Sequence, residues 1–382
     1  MSLFDRWSHA LDGLRKLDRF RSFRLPEGID FTSNDYLGYG NGRLSGTPDR
    51  PTTEAVAPLS RSGMASRLLR GHQEIWEQVE TELAAWHGAE SALMMTSGYT
   101  ANEGLLSTIC EPGDWVAYDE LSHACIAEGL RLAKCRRYSY RHNDLAHLEA
   151  GLAEEAGKSD DSRCRFVVTE SLFSMDGDLA PLREIAQLCQ RYSAALIVDE
   201  AHSTGCYGET GSGYVDALGL RNQVLVSMHT GGKALGVPGA YLAGPRLLKD
   251  YLINRCRHLI FTTALPPECG RWWREMLLRV RADQAGRQQL HQNAATFRQQ
   301  LAAAGIPAIG TEYVVPIVIG NDGPAVAIAR ELQSAGFDVR AIRPPSVPPG
   351  TSRLRVSIHA DHSLVDLQRL AEALAGAIQQ LS

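Results

Sequence analysis

The chain has 382 residues, of which 44% are hydrophobic and 22% charged, with a net charge of −5 and a pI near 6.2. That length exceeds what one compact core usually holds, and the apolar share is enough for a core. The composition therefore excludes a disordered chain and calls for a large domain with a smaller partner. The acidic balance disfavours nucleic acid or an anionic membrane as the main partner, because both select a positive surface.

The opening "MSLFDRWSHALDGLRK" has charges where a signal peptide needs an apolar run, and no stretch reaches the roughly 18 apolar residues of a membrane helix. The eight cysteines never form a C-x-x-C pair, so no metal site of paired cysteines is expected. Together these predict a cytoplasmic protein with reduced thiols. Residues 1–45 read as an N-terminal segment, 46–270 as the large domain and 271–382 as a small α+β domain. Within them, residues 40–63 show little periodicity and read as a loop or linker.

Along the chain, "QEIWEQVETELAAWHG" repeats Ile75, Val79 and Leu83 every four residues, and Gly88 suits a helix C-terminus. Short apolar runs follow at 91–96, 114–119, 165–170, 194–200, 223–229 and 240–244. They lack alternation, as strands covered on both faces do. "PLREIAQLCQRY" is a helix with Pro181 in its first turn. Strand and helix in alternation predict an α/β fold with a mostly parallel sheet. Past residue 270 come one long polar helix (279–305), a strand in "YVVPIVIG", a helix at about 324–335, strands near "FDVRAI" and "RLRVSI", and a last helix at about 363–380.

The chemistry centres on "SMHTGGKALGVPGAYLAG" (227–244). A Walker phosphate loop needs a hydroxyl after its lysine, but Ala234 follows Lys233, and Ser227 stands where the first glycine belongs. "VDEAH" (198–202) resembles a helicase string, yet no phosphate loop precedes it. Lys233 can instead serve as an amine that forms a Schiff base, or simply as a surface cation. Asp199 ends a buried strand at the sheet edge where ligands bind, with His202 just beyond. A buried acid there needs a partner, and a protonated pyridine nitrogen is one. "MMTSGYTANEG" runs from a strand into a helix whose first amides, at Gly98 and Tyr99, can hold phosphate or can form a plain turn. His123 follows another strand, where its ring can stack on a ligand or remain an ordinary polar residue.

Taken together, "SNDYLG", "TSGYTAN", "DELSHAC", "TESLFSMDGDLAPL", "VDEAHSTGCYGETG", "GGKALGVPGAY", "FTTALPP" and "RLRVS" stand in the order found in the α-oxoamine synthases. The chain resembles that family over about residues 30 to 360. The resemblance implies a fold-type I pyridoxal 5'-phosphate (PLP)-dependent transferase that joins an amino acid to an acyl thioester with loss of carbon dioxide. It implies that Lys233 holds the cofactor, Asp199 meets the ring nitrogen, and His202 and Ser174 lie by the ring hydroxyl. His123 would stack on the ring. Gly98, Tyr99 and Thr230 would bind the phosphate, helped by Thr262 from a second subunit of a homodimer. Asn34 and Arg355 would hold the amino acid carboxylate, and Arg21 and Arg343 the acyl substrate or its carboxylate. Glu170 lies in one of the shared motifs.

The stretches "HNDLAHLEAGL" and "AIRPPSVPPGTSRLRVS" are most similar to members that use L-alanine with a pimeloyl thioester of coenzyme A or acyl carrier protein. Ser66, where glycine-using members carry threonine, leaves room for alanine's methyl group. Members using glycine or serine with another thioester, and a non-catalytic binding protein that kept the fold, are the alternatives. Three features depart from the family: Arg61 and Met64 replace glycines, Gly231 replaces a larger residue, and residues 40–60 lack an amphipathic helix.

Overall fold

The computed structural model describes residues 1–40, 60–158 and 163–380. Most of the loop expected at 40–63 lies outside the described residues. The described chain forms two compact units. One comprises Met1–Tyr36, Ser174–Asp178 and Gln288–Ser382, the other Leu37–Phe173 and Leu179–Arg287.

The larger unit is built on a seven-stranded sheet. Across the sheet the strands run Ser91–Met95, Ala240–Gly244, Val226–Thr230, Ala195–Asp199, Arg165–Glu170, Trp115–Asp119 and Arg136–Tyr140. All neighbours pair in parallel except Ala240–Gly244, which is antiparallel to both of its partners. The six apolar runs of the sequence are six of these strands. Their side chains divide between two cores. Ile197 and Val168 face one, and Leu196, Val198 and Val167 the other. Burial on both faces is why the runs show no alternation. Arg136–Tyr140 gives no apolar run because its arginines are partly exposed, and at this edge of the sheet they discourage pairing with another chain.

The exception to parallel pairing has a steric cause. The connection 231–239 is too short for the crossover that a parallel neighbour needs, so the chain turns back on itself. Two backbone bonds fix this turn, from Gly231 N to Gly239 O and from Val237 N to Gly231 O, each 2.9 Å. Lys233 rides on it.

Helix Glu74–His87 ends at Gly88, whose φ of 59° is the left-handed cap expected there. Its buried Glu80 binds Arg67, Lys249 (2.7 Å) and the Met94 amide (2.8 Å). Burial pushes this carboxyl up, but the two cations overcome it and hold it below the usual range. A lowered folded-state pKa stabilises the fold above the ordinary glutamate range, and that stability is lost as the pH falls through it. Glu80→Gln leaves two cations uncompensated, so we expect a loss of about 3 kcal/mol at neutral pH. We also expect a smaller acid-side decline in melting temperature than in the wild type. Melting curves from pH 3 to 7 check both.

In the smaller unit, strands Arg340–Ile342, Ser352–Ser357 and Val314–Gly320 form an antiparallel sheet, and Ile29–Asp30 pairs with Phe337–Asp338. Helices Asp322–Ser334 and Leu364–Gln379 complete the unit. The pairing at Ile29 and the Arg353–Asp176 ion pair (2.8 Å) explain why distant segments gather here rather than in the divisions 1–45 and 46–270. Helix Leu3–Lys16, opened by a Ser2–Asp5 capping box, is an element the sequence reading did not predict. The expected long helix at 279–305 is two helices, Glu268–Ala282 and Gln284–Ala303. Asp283 separates them, and its carboxylate accepts the Gly286 amide at 2.8 Å, a local bond that competes with helix continuation.

Candidate active site

Three adjacent parallel strands of the larger unit end in Glu170, Asp199 and Thr230, at the edge where such sheets bind ligands. Glu170 and Asp199 are register partners, so their carboxyls neighbour one another. Both Asp199 oxygens accept from neutral amides, Asn102 Nδ2 at 2.7 Å and Ala201 N at 2.8 Å. Glu170 accepts the His123 amide at 2.6 Å. Burial, then the Asp199 charge, pushes Glu170 up to about 8, against the His123 amide and Lys233. Burial and the neighbouring carboxylate therefore favour the protonated form of Glu170.

Helix Gly98–Ile109 begins beside this edge. Ser97 caps it, accepting the Thr100 amide at 3.2 Å, and its carbonyl takes the Ala101 amide at 3.0 Å. The amides of Gly98 and Tyr99 precede the intrahelical ladder, at the positive end of the helix dipole. A Cβ on Gly98 would lie 3.7 Å from Thr230 Oγ1, so the Thr230 hydroxyl stands by those amides. Amides, dipole and hydroxyl make a cradle for a phosphate.

His123 is the N-cap of helix Ala124–Ala133, and its ring meets Tyr99 edge-on at 6.3 Å. Its Nδ1 lies 2.9 Å from Cys125 Sγ. Burial pushes the Cys125 thiol up to about 12, so it keeps its proton and can donate to Nδ1, leaving Nε2 as the protonated nitrogen. Burial also lowers the His123 pKa; Asp199 opposes this and Lys233 adds to it. His123, Cys125 and Glu170 each feel the charges of both Asp199 and Lys233, so the two groups act on one common space. Next to Lys233, a Cβ on Gly232 would meet nothing within 4 Å.

These groups fit PLP: an amine for its carbonyl, a buried carboxylate for its ring nitrogen, a neutral imidazole for its face and an anion cradle for its phosphate. His202 lies buried in the turn after Asp199. Thr262 follows helix Arg257–Ile260. Ser66 lies in a segment that joins the same region through the Ala264 amide and Ala65 carbonyl (2.9 Å).

The smaller unit holds a second group of the expected residues. Arg355 donates from Nε to the Ser174 carbonyl at 2.6 Å, and from its terminal nitrogens to Asn34 Oδ1 at 2.9 Å and Tyr36 OH at 3.3 Å. A buried guanidinium held by neutral acceptors suits a carboxylate ligand. Arg343 donates to the Asp18 carbonyl, and Arg21 to Ser346 Oγ at 3.4 Å.

Asn102, the last residue of "TSGYTAN", is a partner of Asp199 that the sequence reading does not single out. Its signal is an amide on the buried face of a helix, four residues after Gly98. Arg67 is committed to Glu80. Met64 stands where the family carries glycine and keeps a glycine-like φ of 59°, with its side chain exposed. Gly231 has its own reason, since a Cβ there would press on the Val237 carbonyl and the Trp273 ring. Among the described residues, no cluster of three or more His, Cys, Asp or Glu could hold a metal, and no helix is long and apolar enough to cross a membrane.

The model of the aminotransferase class I and II family matches residues 26–374. An 8-amino-7-oxononanoate synthase of Chlorobaculum parvum is 41% identical over 91% of this chain and 88% of its own. One of Geobacter sulfurreducens is 41% identical over 96% of each. Among solved structures, the 8-amino-7-oxononanoate synthase of Francisella tularensis superposes with a TM-score of 0.75 at 25% identity, covering 93% of this chain and 98% of its own. The serine palmitoyltransferase of Sphingomonas wittichii reaches 0.83 at 25% identity, covering 99% and 96%.

Proposed function

Because the chain belongs to the aminotransferase class I and II family and, within it, to the α-oxoamine synthases, acyltransferases that depend on PLP, we propose that it condenses L-alanine with a pimeloyl thioester. The products are 8-amino-7-oxononanoate, carbon dioxide and free thiol, in biotin synthesis. The observation that carries this reading is the convergence of Lys233 and Asp199 on one space beside a phosphate cradle. When bound, PLP supplies an electron-withdrawing ring that stabilises negative charge at the amino acid α-carbon.

The residues divide the work. Lys233 Nζ would hold the cofactor, and its amine would take the α-proton as general base. The Asp199 carboxylate keeps a proton on the ring nitrogen, and Asn102 and the Ala201 amide hold that carboxylate in place. The neutral His123 ring offers its face without adding charge. The Gly98 and Tyr99 amides with the Thr230 hydroxyl bind phosphate, and Thr262 of a second copy completes that site in a homodimer. His202 and Ser174 serve the ring hydroxyl. Arg355 and Asn34 bind the alanine carboxylate, Ser66 leaves room for its methyl, and Arg21 and Arg343 serve the acyl donor. The enzyme works in the cytoplasm.

The test is product identification by mass spectrometry. PLP-loaded enzyme, L-alanine and pimeloyl thioesters of both carriers are expected to give 8-amino-7-oxononanoate, with glycine and serine at least about tenfold slower, the scale on which a pocket separates substrates differing by one methyl or one hydroxyl. Turnover with glycine or serine and another thioester, but not with alanine, sinks the assignment.

A further inference from the structure

The smaller unit contains a cavity of about 330 Å³ whose wall carries Arg15, Arg21, Arg24, Arg330, Arg340 and Arg343. An adjoining cavity of about 230 Å³ shares Arg21 and Arg343 and adds Arg19 and Ser346. Three of these arginines are matched by carboxylates: Arg15 by Asp12 (2.8 Å), Arg19 by Asp322 (2.6 Å) and Arg340 by Asp338 (2.6 Å). Among the described residues the other four are not. There, Arg21 reaches the Ser346 hydroxyl, Arg24 the Gln333 side-chain oxygen at 3.5 Å, and Arg343 the Asp18 carbonyl. Among the described residues Arg330 has no ion pair. Among the described residues, the one acid in the first cavity's wall is Asp18.

Gathering like charges around a concavity raises the energy of the folded chain, and a bound anion relieves it. At Arg343, burial lowers the pKa most; Asp322 and Asp18 raise it, and Arg21 and Arg24 lower it. The chain as a whole is acidic, at −5, so this concentration is local. A single carboxylate cannot balance several unmatched guanidiniums. Phosphate oxygens can, because each group carries more charge and accepts paired bonds from a planar guanidinium.

We propose that this cavity binds the phosphate groups of a multiply charged small anion. Two sources share that chemistry. One is the nucleotide end of a coenzyme A thioester, which rests on the proposed function and selects coenzyme A over the protein carrier. The other is a free polyphosphate.

Calorimetric titration of PLP-loaded full-length enzyme at low ionic strength tests the proposal, with coenzyme A, pyrophosphate and phosphate-free pantetheine as probes. Arg24→Gln and Arg330→Gln remove exposed side chains outside the proposed catalytic groups, and both variants are expected to melt like the wild type. Each is expected to weaken phosphate-dependent binding roughly tenfold, the worth of one charged hydrogen bond, and Arg24→Lys to weaken it less. Pantetheine binding is expected not to change. Arginine-dependent binding that is much tighter for coenzyme A than for pyrophosphate identifies the thioester; equal binding identifies a free polyphosphate. If the double variant binds both as the wild type does, or neither binds the wild type, the proposal is overturned. Titration needs no turnover. Product formation without arginine-dependent binding therefore removes this inference alone, and binding without product removes only the proposed reaction.

Discussion

Lys233→Ala is expected to reduce turnover of alanine and pimeloyl thioester at least about 1,000-fold, since it removes both the covalent anchor and the general base. Borohydride reduction of the wild-type enzyme is expected to leave the cofactor on the peptide carrying Lys233, and on no peptide of the variant. The charge change has its own signature. Lys233 lowers the pKa of both His123 and Glu170, so removing it raises both. Lys233→Arg keeps the positive charge without a usable amine, and is expected to restore those titrations but not the activity. Turnover near the wild-type level in the alanine variant would exclude the whole assignment of the site.

Asp199→Asn is expected to slow the reaction by about 100-fold to 1,000-fold, the scale of losing one preorganised electrostatic partner of the reacting system. The substitution is nearly isosteric, but its single amide oxygen can accept from only one of Asn102 and the Ala201 amide, and its NH2 group then faces the other donor. A stability loss of about 1 to 3 kcal/mol, read from the melting curve, is expected beside the fall in rate. Asp199 is also the charge that, after burial, raises Glu170, so its removal lets the Glu170 pKa fall from about 8. Infrared difference spectra near neutral pH are expected to show a protonated carboxyl in the wild type and a smaller one in the variant. An unchanged rate, or an unchanged carboxyl signal, contradicts the arrangement of the two acids.

The parts of this protein that were legible in its sequence are those whose signal is local. Six strands announced themselves as apolar runs because both faces of each are covered. Gly88 marked a helix end because the left-handed conformation there suits glycine. Lys233, Asp199, Gly98 and Tyr99 could be singled out because each sits at or just past the end of a strand, where a chain in a parallel sheet presents side chains and amides to a ligand. The edge strand Arg136–Tyr140 was invisible because partial exposure removes the apolar pattern. The break at Asp283 was hidden because the helical composition continues across it.

The sequence by itself determined the strand-and-helix alternation, the family and the residues proposed for its chemistry. These follow from residue types and spacings along a single stretch of chain. Only the tertiary structure decided that Asn102 holds Asp199, that burial and the Asp199 charge favour a proton on Glu170, that Arg67 is spent on Glu80 and that unmatched arginines from both ends of the chain surround one cavity. Those facts depend on burial and on electrostatic fields between residues far apart in sequence, and such quantities exist only once the chain has folded.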